Sequence, residues 1–427
     1  MTDRPAPVSP EDRLYRIVED GMCIGCGLCE SMAGADNVRI QVVANGYERP
    51  VVVGDLDHET VDQIYDVCPG TRLEGLPERL VAEDSRHDLV WGPYQRMVEA
   101  HATDPEIRHL GSTGGVLTAL GLYLIETGEV ASILHATSGG NSPTFGQAHI
   151  SRTREDVLAA AGSRYGPTAV LTGIHEHLDR DEPFAFIGKP CDVAALRNLA
   201  RHDQRVDRLC RYMLTMVCGG FMPPDGMANF LDREGIDASA ITNFRYRGNG
   251  CPGPTRVETA DGQTQEFTYT DLWGTDETQW MLPFRCKVCP DGIGEAADIA
   301  AADNWPGGSP DPETEHLDPG TNAVVLRTQA GMRLAEAAVA AGYLTIARDV
   351  DPRHMDGVQP HQRNKKLVVR ARWDGLAAEG RTVPRSARLR LDALGAELDP
   401  EFYAQQRDGT SQRVRDGKTT EPKPSAG

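Results

Sequence analysis

Three cysteines near the N-terminus, each separated from the next by two residues, constrain this chain more than any other feature of its sequence. The run Cys23-Ile-Gly-Cys26-Gly-Leu-Cys29 has the C-x2-C-x2-C spacing that allows three thiolates to bind three irons of one cubane. The intervening Gly25 and Gly27 let the backbone wrap closely around such a cluster. The run therefore predicts a [4Fe–4S] cluster.

The fourth ligand of this cluster is expected from a distant part of the chain. Where such a run serves two clusters, a further cysteine stands four residues after the third and ligates the other cluster. Here that position is Ala33. Cys68, followed by Pro69, is the Cys-Pro pair on this side of the chain that has no other use, so we expect it to complete the set. A zinc knuckle is the alternative, but it rarely combines two successive two-residue gaps with Cys-Pro.

A second group of cysteines is spread over the later part of the chain. Cys286 and Cys289 form a CxxC pair, whereas Cys191 and Cys218 each stand just after a predicted strand. Because strand ends in open α/β sheets converge on one crevice, these two can meet the CxxC loop and hold a second cluster. Buried structural cysteines and a four-thiolate zinc site are the alternatives. Cys251 is a competing fourth ligand.

Composition and charge narrow the class of protein further. The 427 residues, 40% of them hydrophobic, suffice for two or three domains. The net charge of -19 argues against a nucleic-acid partner, because binding to phosphates needs an excess of Lys and Arg. There is no leader-like segment and no apolar stretch of 18 residues, so we expect a cytoplasmic protein without membrane insertion. Because cysteines stay reduced in the cytoplasm, we expect the clustered cysteines to be metal or redox ligands. Cys210 lies in a polar helical run, and we expect it to be a structural residue.

Small residues before a predicted helix suggest a site for a phosphate-bearing cofactor. Gly111-Ser-Thr-Gly-Gly115 opens the predicted helix 116–127 and leaves backbone N–H groups and two hydroxyls free to bind a phosphate or pyrophosphate. The loops 162–167 and 188–190 are similar, and Lys189 is suited to stabilise the anionic edge of a reduced flavin. A Gly-rich turn that caps a core helix is the alternative explanation.

The apolar pattern predicts an α/β protein, with an α+β N-terminal ferredoxin-like module followed by a mixed α/β flavin-binding domain. The module has a helix over 10–19 that Ser9 caps, and a hairpin that turns at Asn45-Gly46. Strands and helices alternate over 108–305, as in a partly parallel sheet. The predicted units are a disordered N-terminus (1–9), a ferredoxin-like [4Fe–4S] domain (10–80), a flavin-binding and second-cluster domain (81–305), a C-terminal α/β region (306–405) and a disordered tail (406–427).

In their order, these pieces resemble the coenzyme F420 hydrogenase/dehydrogenase β-subunit family, which also contains 7-hydroxymethyl chlorophyll a reductase and ferredoxin-dependent divinyl chlorophyllide 8-vinyl reductase. The resemblance runs from about Cys23 to Val350. The motifs that carry it are CIGCGLC with Cys68-Pro69, GSTGGVLTAL, AGSRYGP, FIGKPCDVAALR, VCGGF, FRYRGNGCPG, RCKVCPDGIGEAADIAAADNW and TNAVVLRTQAG. Cys251 departs from the aromatic residue expected in the chlorophyll-reductase branch, and Ala302 precedes Asp303 where Gly-Asp is usual, so the substrate stays open.

The resemblance implies that the flavin is FAD. Its implied binding residues are Ser112, Thr113, Gly114, Gly115, Thr118, Ser163, Tyr165 and Lys189. It also implies a second [4Fe–4S] cluster on Cys191, Cys218, Cys286 and Cys289. Members of the family move electrons between ferredoxin or a partner subunit and an organic acceptor, which is a deazaflavin or a tetrapyrrole. Candidate proton donors in the substrate cleft are Asp303, His109 and Tyr165.

Three functions follow as alternatives. The first is an oxidoreductase that passes electrons between ferredoxin, or a partner redox protein, and an organic two-electron acceptor through two clusters and FAD. In it, we expect the N-terminal cluster to face the external donor and the second cluster to lie beside the flavin. The second is the coenzyme F420-oxidising or -reducing β subunit of a hydrogenase or dehydrogenase complex, although a separate region 306–405 favours a stand-alone enzyme. The third is a non-catalytic electron-transfer or zinc-stabilised scaffold protein without flavin.

Overall fold

A computed structural model describes residues 8–274, 280–311 and 313–425 of the chain. Its strands are β1 (Val38–Val42), β2 (Glu48–Val52), β3 (Arg72–Glu74), β4 (Arg86–Asp88), β5 (Gly92–Tyr94), β6 (Arg96–Ala102), β7 (Ser132–Ser138), β8 (Gly146–Ser151), β9 (Phe184–Gly188), β10 (Cys210–Met216), β11 (Ile241–Arg245), β12 (Thr255–Thr259), β13 (Thr264–Phe267), β14 (Ile299–Asp303), β15 (Asn322–Leu326), β16 (Leu344–Val350) and β17 (Arg385–Ala387).

The α-helices in the same residues make up the rest of the regular structure. They are α1 (Pro10–Glu19), α2 (Leu28–Ala33), α3 (His58–Val67), α4 (Pro105–Leu110), α5 (Val116–Glu126), α6 (Arg154–Ala159), α7 (Ile174–Leu178), α8 (Pro190–Leu199), α9 (Arg205–Leu209), α10 (Pro224–Arg233), α11 (Tyr269–Trp273), α12 (Phe284–Lys287), α13 (Gln329–Ala340), α14 (Pro352–Val358), α15 (Pro360–Ala378), α16 (Leu391–Ala396) and α17 (Pro400–Arg415). None of these described helices is long and apolar enough to cross a membrane.

Eight strands form the central sheet, in the order β16-β6-β15-β14-β10-β9-β7-β8. The strands β7, β9, β10 and β14 are parallel to one another, whereas β8, β15, β6 and β16 join them by antiparallel pairing. Parallel strands bring their carboxyl ends to one edge of a sheet, where a crevice forms. The predicted mixed α/β class with a partly parallel sheet is therefore confirmed.

The sheet is buried on both faces. On β14, Ile299 and Ala301 belong to a core that includes residues of α5 and α13, whereas Ala300 and Ala302 belong to the core on the other side. This alternation follows from the geometry of a strand, in which successive side chains point to opposite faces. The second core also contains Leu14 of α1 and residues of α15. The N-terminal module and the C-terminal helices thus pack together against one face of the sheet.

The predicted elements of the N-terminal module are confirmed. Helix α1 begins at Pro10, and the hydroxyl of Ser9 accepts the backbone N–H of Asp12 at 3.0 Å. Strands β1 and β2 pair antiparallel around the turn at Asn45-Gly46. Most of the N-terminal segment predicted to be disordered, residues 1–7, lies outside the described residues.

The structure differs from the sequence pattern in two places near the C-terminus. Strand β15 lies between β14 and β6, so the region 306–405 is not separate but completes the central sheet. The tail predicted to be disordered from 406 instead continues α17, buries Thr419 and pairs Glu421 with Arg49 at 2.7 Å. The tail is poor in apolar residues, and its order comes from polar anchors that composition does not reveal. Residues 426–427 lie outside the described residues.

Candidate cofactor and electron-transfer site

The four cysteines of the N-terminal group line one small cavity. They are Cys23, Cys26, Cys29 and Cys68. Much of the remaining wall is apolar and comes from β1 and α3. The backbone N–H groups of Gly25 and Gly70 donate to the sulfurs of Cys23 and Cys68, each at 3.3 Å. Burial raises the pKa of all four thiols, so metal binding here must release protons.

The structure also brings together the four cysteines of the second group, from three separate segments of the chain. Cys191 lies in the first turn of α8, Cys286 lies in α12, and Cys289 follows that helix. The backbone N–H of Cys218 donates to the carbonyl of Gly292 at 2.7 Å, which holds the loop after β10 against the CxxC loop. Burial raises the pKa of Cys191, and the neighbouring Cys218 and Cys289 raise it further, which reflects how near these thiols are to one another.

A single metal ion and an iron–sulfur cluster need different spacings of their ligands. Zinc requires four sulfurs about 2.3 Å from one point, whereas each cysteine of a cubane binds its own iron. In residues 8–274, 280–311 and 313–425, no three His, Cys, Asp or Glu side chains are arranged to hold a single ion. The N-terminal thiols instead stand around a cavity.

The two remaining cysteines make other contacts. The sulfur of Cys251 accepts the indole N–H of Trp305 at 3.4 Å and faces a carboxylate oxygen of Asp318 at 3.5 Å. Cys210 is buried at the start of β10 and lies 3.6 Å from the carbonyl of Tyr212. Cys251 thus has its own partners, and the structure does not bring it into the second group.

Arg285 lies between the two cysteine groups. It directly precedes Cys286, and its Nη2 donates to the carbonyl of Pro69, the residue after Cys68, at 2.9 Å. The side chain is 2% exposed, and its Nε and Nη1 have no hydrogen-bond partner in the described part of the chain. A buried guanidinium at this place would offset negative charge on thiolates in either group.

A cavity of about 270 Å³ borders the second cysteine group, because Cys218 forms part of its wall. The predicted flavin-binding residues that line it are Ser112, Thr113, Gly115, Thr118, Ser163, Tyr165 and Lys189. Gly114 is the exception. It packs against the sheet, where an added Cβ lies 2.7 Å from the backbone nitrogen of Asn322 and 3.0 Å from the carbonyl of Ala100. The three predicted loops therefore share one cavity.

Polar contacts tie these loops together. The hydroxyl of Ser112 accepts the backbone N–H of Ser163 at 2.9 Å. Gly115 has a φ of 70°, in the left-handed region that favours glycine, and it precedes the first turn of α5. The ammonium of Lys189 pairs with the carboxylate of Asp192 at 2.8 Å. Burial alone lowers the pKa of Lys189, but Asp192 outweighs it and keeps the side chain charged.

Arg247 lines the cavity and is 2% exposed, and it is not among the residues predicted from the sequence. Its Nη1 donates to Asp303 Oδ2 at 2.9 Å and to the hydroxyl of Tyr165 at 2.9 Å, while its Nη2 donates to the carbonyl of Ser112 at 2.7 Å. Burial alone lowers the pKa of Arg247, but the carboxylate of Asp303 more than compensates. The one available signal was the position of this arginine in the glycine-rich segment YRGNG. Such a position predicts a turn but does not predict what the arginine binds.

The three predicted proton donors differ in their surroundings. Asp303 accepts hydrogen bonds from Arg247 and from the hydroxyl of Thr113, so its carboxylate positions these groups. His109 is exposed on α4 and is not among the residues that line the cavity. The hydroxyl of Tyr165 accepts from Arg247, which leaves its own proton free to donate.

Aromatic side chains form a further part of the cavity wall. Trp305 stacks on the guanidinium of Arg247 at 4.7 Å, and Tyr165 meets Trp273 edge-on at 5.0 Å. Trp280 lies 5.5 Å from Trp273, measured between ring centroids. The indole N–H groups of Trp273 and Trp280 have no hydrogen-bond partner among the described residues. Flat apolar surfaces with free donors suit a planar ring system that carries carbonyl or ring-nitrogen acceptors.

The chain is similar to several proteins named for coenzyme F420. It is 29% identical over 215 residues to F420-dependent formate dehydrogenase 1 subunit beta of Methanococcus maripaludis, covering 49% of this chain and 52% of the relative. It is 24% identical over 346 residues to coenzyme F420-dependent sulfite reductase of Methanocaldococcus jannaschii, with 77% and 47% covered. The chain thus spans about half the length of these two curated relatives. Coenzyme F420 hydrogenase subunit beta of Methanococcus voltae is 25% identical over 303 residues, with 67% and 99% covered.

A solved structure supports the fold. A chain of the F420-reducing [NiFe] hydrogenase complex from Methanosarcina barkeri superposes with a TM-score of 0.50 at 22% identity, covering 67% of this chain and 95% of that one. Two family models, for the N-terminal and the C-terminal parts of the coenzyme F420 hydrogenase/dehydrogenase beta subunit, match residues 97–175 and 181–351 respectively, together more than half of the chain. The chain therefore belongs to the coenzyme F420 hydrogenase/dehydrogenase β-subunit family.

Proposed function

We propose that this chain is an iron–sulfur flavoprotein that exchanges electrons between coenzyme F420 and a one-electron redox partner. The observation that carries the proposal is the position of Cys218, which belongs to the second cysteine group and also to the cavity wall. Electrons on a cluster in this group are next to whatever occupies the cavity. The names of the relatives support a deazaflavin over a tetrapyrrole as the organic partner.

FAD fits the cavity through the residues that the three loops contribute. The backbone N–H of Val116 donates to Asn322, and the following N–H groups in the first turn of α5 are those that could bind a phosphate. Lys189 supplies a fixed positive charge for an anionic ring edge. When bound, FAD takes electrons one at a time from a cluster and passes them on as a hydride. The hydroxyl of Tyr165, oriented by Arg247, is the proton donor that the geometry favours.

The two cysteine groups would hold the [4Fe–4S] clusters. The donor sets fit, since each provides four thiols, of which Cys26 is buried and the others are partly buried. Arg285, between the two groups, would stabilise the negative charge of a cluster held in either one. Zinc in either group remains the competing assignment that chemical analysis decides.

Anaerobically purified full-length protein tests the proposal. We expect about eight irons and about eight sulfides per chain, with bound FAD and broad absorbance of iron–sulfur clusters. Reduced F420 should bleach the bound FAD, and an added one-electron acceptor should restore its colour. Zinc without flavin would sink the proposal. Bleaching by reduced ferredoxin but not by reduced F420 would replace F420 with another organic partner.

A further inference from the structure

The surface beside Cys286 carries four cations that have no carboxylate partner among the described residues, in a chain whose net charge is -19. We call these residues the basic patch: Lys287, Lys365, Arg372 and Arg413. Lys287 and Arg413 are exposed, and the other two are half-buried. None of the four forms an ion pair in the part of the chain that the structure describes.

The hydrogen bonds of the basic patch go to neutral acceptors. Arg372 donates to the carbonyl of Lys287 at 2.6 Å and to the side chain of Gln406 at 3.0 Å. Arg413 donates to the carbonyl of Gly409 at 2.9 Å. Burial and the nearby guanidinium of Arg413 lower the pKa of Arg372, so like charges repel here. The fold therefore tolerates a concentration of positive charge that it does not neutralise.

Acidic residues close in sequence to the basic patch are already paired with other cations. On α17, Asp408 pairs with Arg407 at 2.7 Å. Beyond that helix, Asp416 pairs with Lys418 at 3.0 Å. The positive charge of the basic patch is consequently available to a partner.

The basic patch adjoins the second cysteine group. Lys287 follows Cys286 directly, and the ammonium of Lys365 lies 3.4 Å from the carbonyl of Gly219, the residue after Cys218. The N-terminal group differs, because there the C-terminal tail covers one side. An added Cβ on Gly21 lies 2.2 Å from the carbonyl of Thr419. The basic patch therefore borders the second group, whereas the tail borders the N-terminal group.

We propose that the basic patch is the docking surface for an acidic one-electron carrier protein, and that electrons enter or leave this chain at the second cysteine group. This inference rests on the proposed function and revises the expectation that the N-terminal cluster faces the donor. The acidic remainder of the surface repels an acidic carrier, so the basic patch also selects its orientation. Each encounter moves one electron from the reduced carrier to the second cluster, and two encounters with two protons from water reduce one deazaflavin.

Charge reversal tests the docking surface, with a small acidic bacterial ferredoxin as the probe. Lys287→Glu and Arg413→Glu are compared with Arg39→Glu, a matched control whose side chain is 55% exposed on β1 beside Ile40 of the N-terminal cavity. Binding to the intact holoprotein is measured by titration calorimetry at low and at high salt. We expect each patch variant to weaken binding about tenfold at low salt, the control to change it less than about twofold, and the contrast to vanish at about 0.5 M salt.

Three results would overturn the docking surface: equal weakening by Arg39→Glu, no change in either patch variant, or affinity that persists at high salt. Iron and flavin contents, measured for every variant, show whether weaker binding results from loss of cofactors. If Lys287→Glu loses iron, Arg413→Glu still tests the basic patch, because residue 413 is far in sequence from the cysteines. If ferredoxin binding depends on the basic patch but bound ferredoxin does not reduce FAD, the result counts against the proposed function instead. The two failures are thus distinguishable.

Discussion

Replacing Glu421 with Gln tests whether the C-terminal tail is anchored on the N-terminal module. Glu421 accepts two hydrogen bonds from Arg49, at 2.7 and 2.8 Å, and the two side chains are 15% and 1% exposed. Removing one partner of a buried ion pair costs about 3–5 kcal/mol, because the other charge stays buried without compensation. Arg49 keeps the carbonyl of Glu48 at 2.9 Å and the ring of Tyr47 at 4.2 Å. We therefore expect about 2–3 kcal/mol of lost stability.

A double-mutant cycle isolates this pair. The free energy of unfolding in urea is compared among the wild type, Glu421→Gln, Arg49→Met and the double variant, and we expect a coupling energy of about 2 kcal/mol. Limited proteolysis reports on the tail itself and should cut Glu421→Gln after α17 faster than the wild type. Lys423→Gln is the matched control in the same tail, because its pair with Asp12 is exposed and should contribute little.

A coupling energy below about 0.5 kcal/mol, the level of a surface ion pair, would refute the reasoning. So would cleavage of the tail at the wild-type rate in Glu421→Gln. Either result would return the tail to the disorder that its composition predicts.

Three further predictions concern the site and the scaffold. Cys68→Ser should lower the iron content from about eight to about four per chain, and an unchanged count would remove Cys68 as a ligand. Arg247→Met leaves Asp303 without its ion-pair partner at the cavity wall, so we expect a loss of about 3 kcal/mol in unfolding free energy and less bound flavin. Arg247→Lys should be intermediate. Equal flavin content in the wild type and both variants would contradict this role. Burial alone raises the pKa of Glu74, but the surrounding arginines lower it to about 2, below its unfolded value of about 4.3. Its stabilisation is therefore complete above about pH 4.5 and lost as the pH falls toward 2, and Glu74→Gln should flatten the dependence of the urea midpoint on pH over that range.

Local features of this fold were predictable because they depend on a few neighbouring residues. The hydroxyl of Ser9 caps the helix that Pro10 begins, and Asn45-Gly46 supplies the turn of the hairpin. The even spacing of the N-terminal cysteines places their thiols around one cavity for the same reason. The alternation of strands and helices also predicted a partly parallel sheet, but it did not predict the order of the strands.

Features that depend on distant contacts were not predictable in this way. The insertion of β15 between β14 and β6 is a matter of long-range pairing, which the apolar pattern of Asn322–Leu326 does not encode. Arg247 looks like any loop arginine until Asp303 and the carbonyl of Ser112 are placed beside it. His109 stays a prediction: it is exposed on α4, and a polar residue near a predicted loop gives no information on which way its helix faces.

The C-terminal segment after residue 351 lies outside the matched family models, yet it contacts both functional regions. Gln362 of α15 lines the cavity, and the indole N–H of Trp373 donates to the carbonyl of Val288, between two cysteines of the second group, at 3.1 Å. Three of the four residues of the basic patch also belong to this segment. If the basic patch selects the one-electron partner, then partner choice resides largely in a part of the chain that the family models do not cover, while the cavity is built mainly from the part that they do. Exchange of this segment between relatives should then change the redox partner and leave the organic substrate the same.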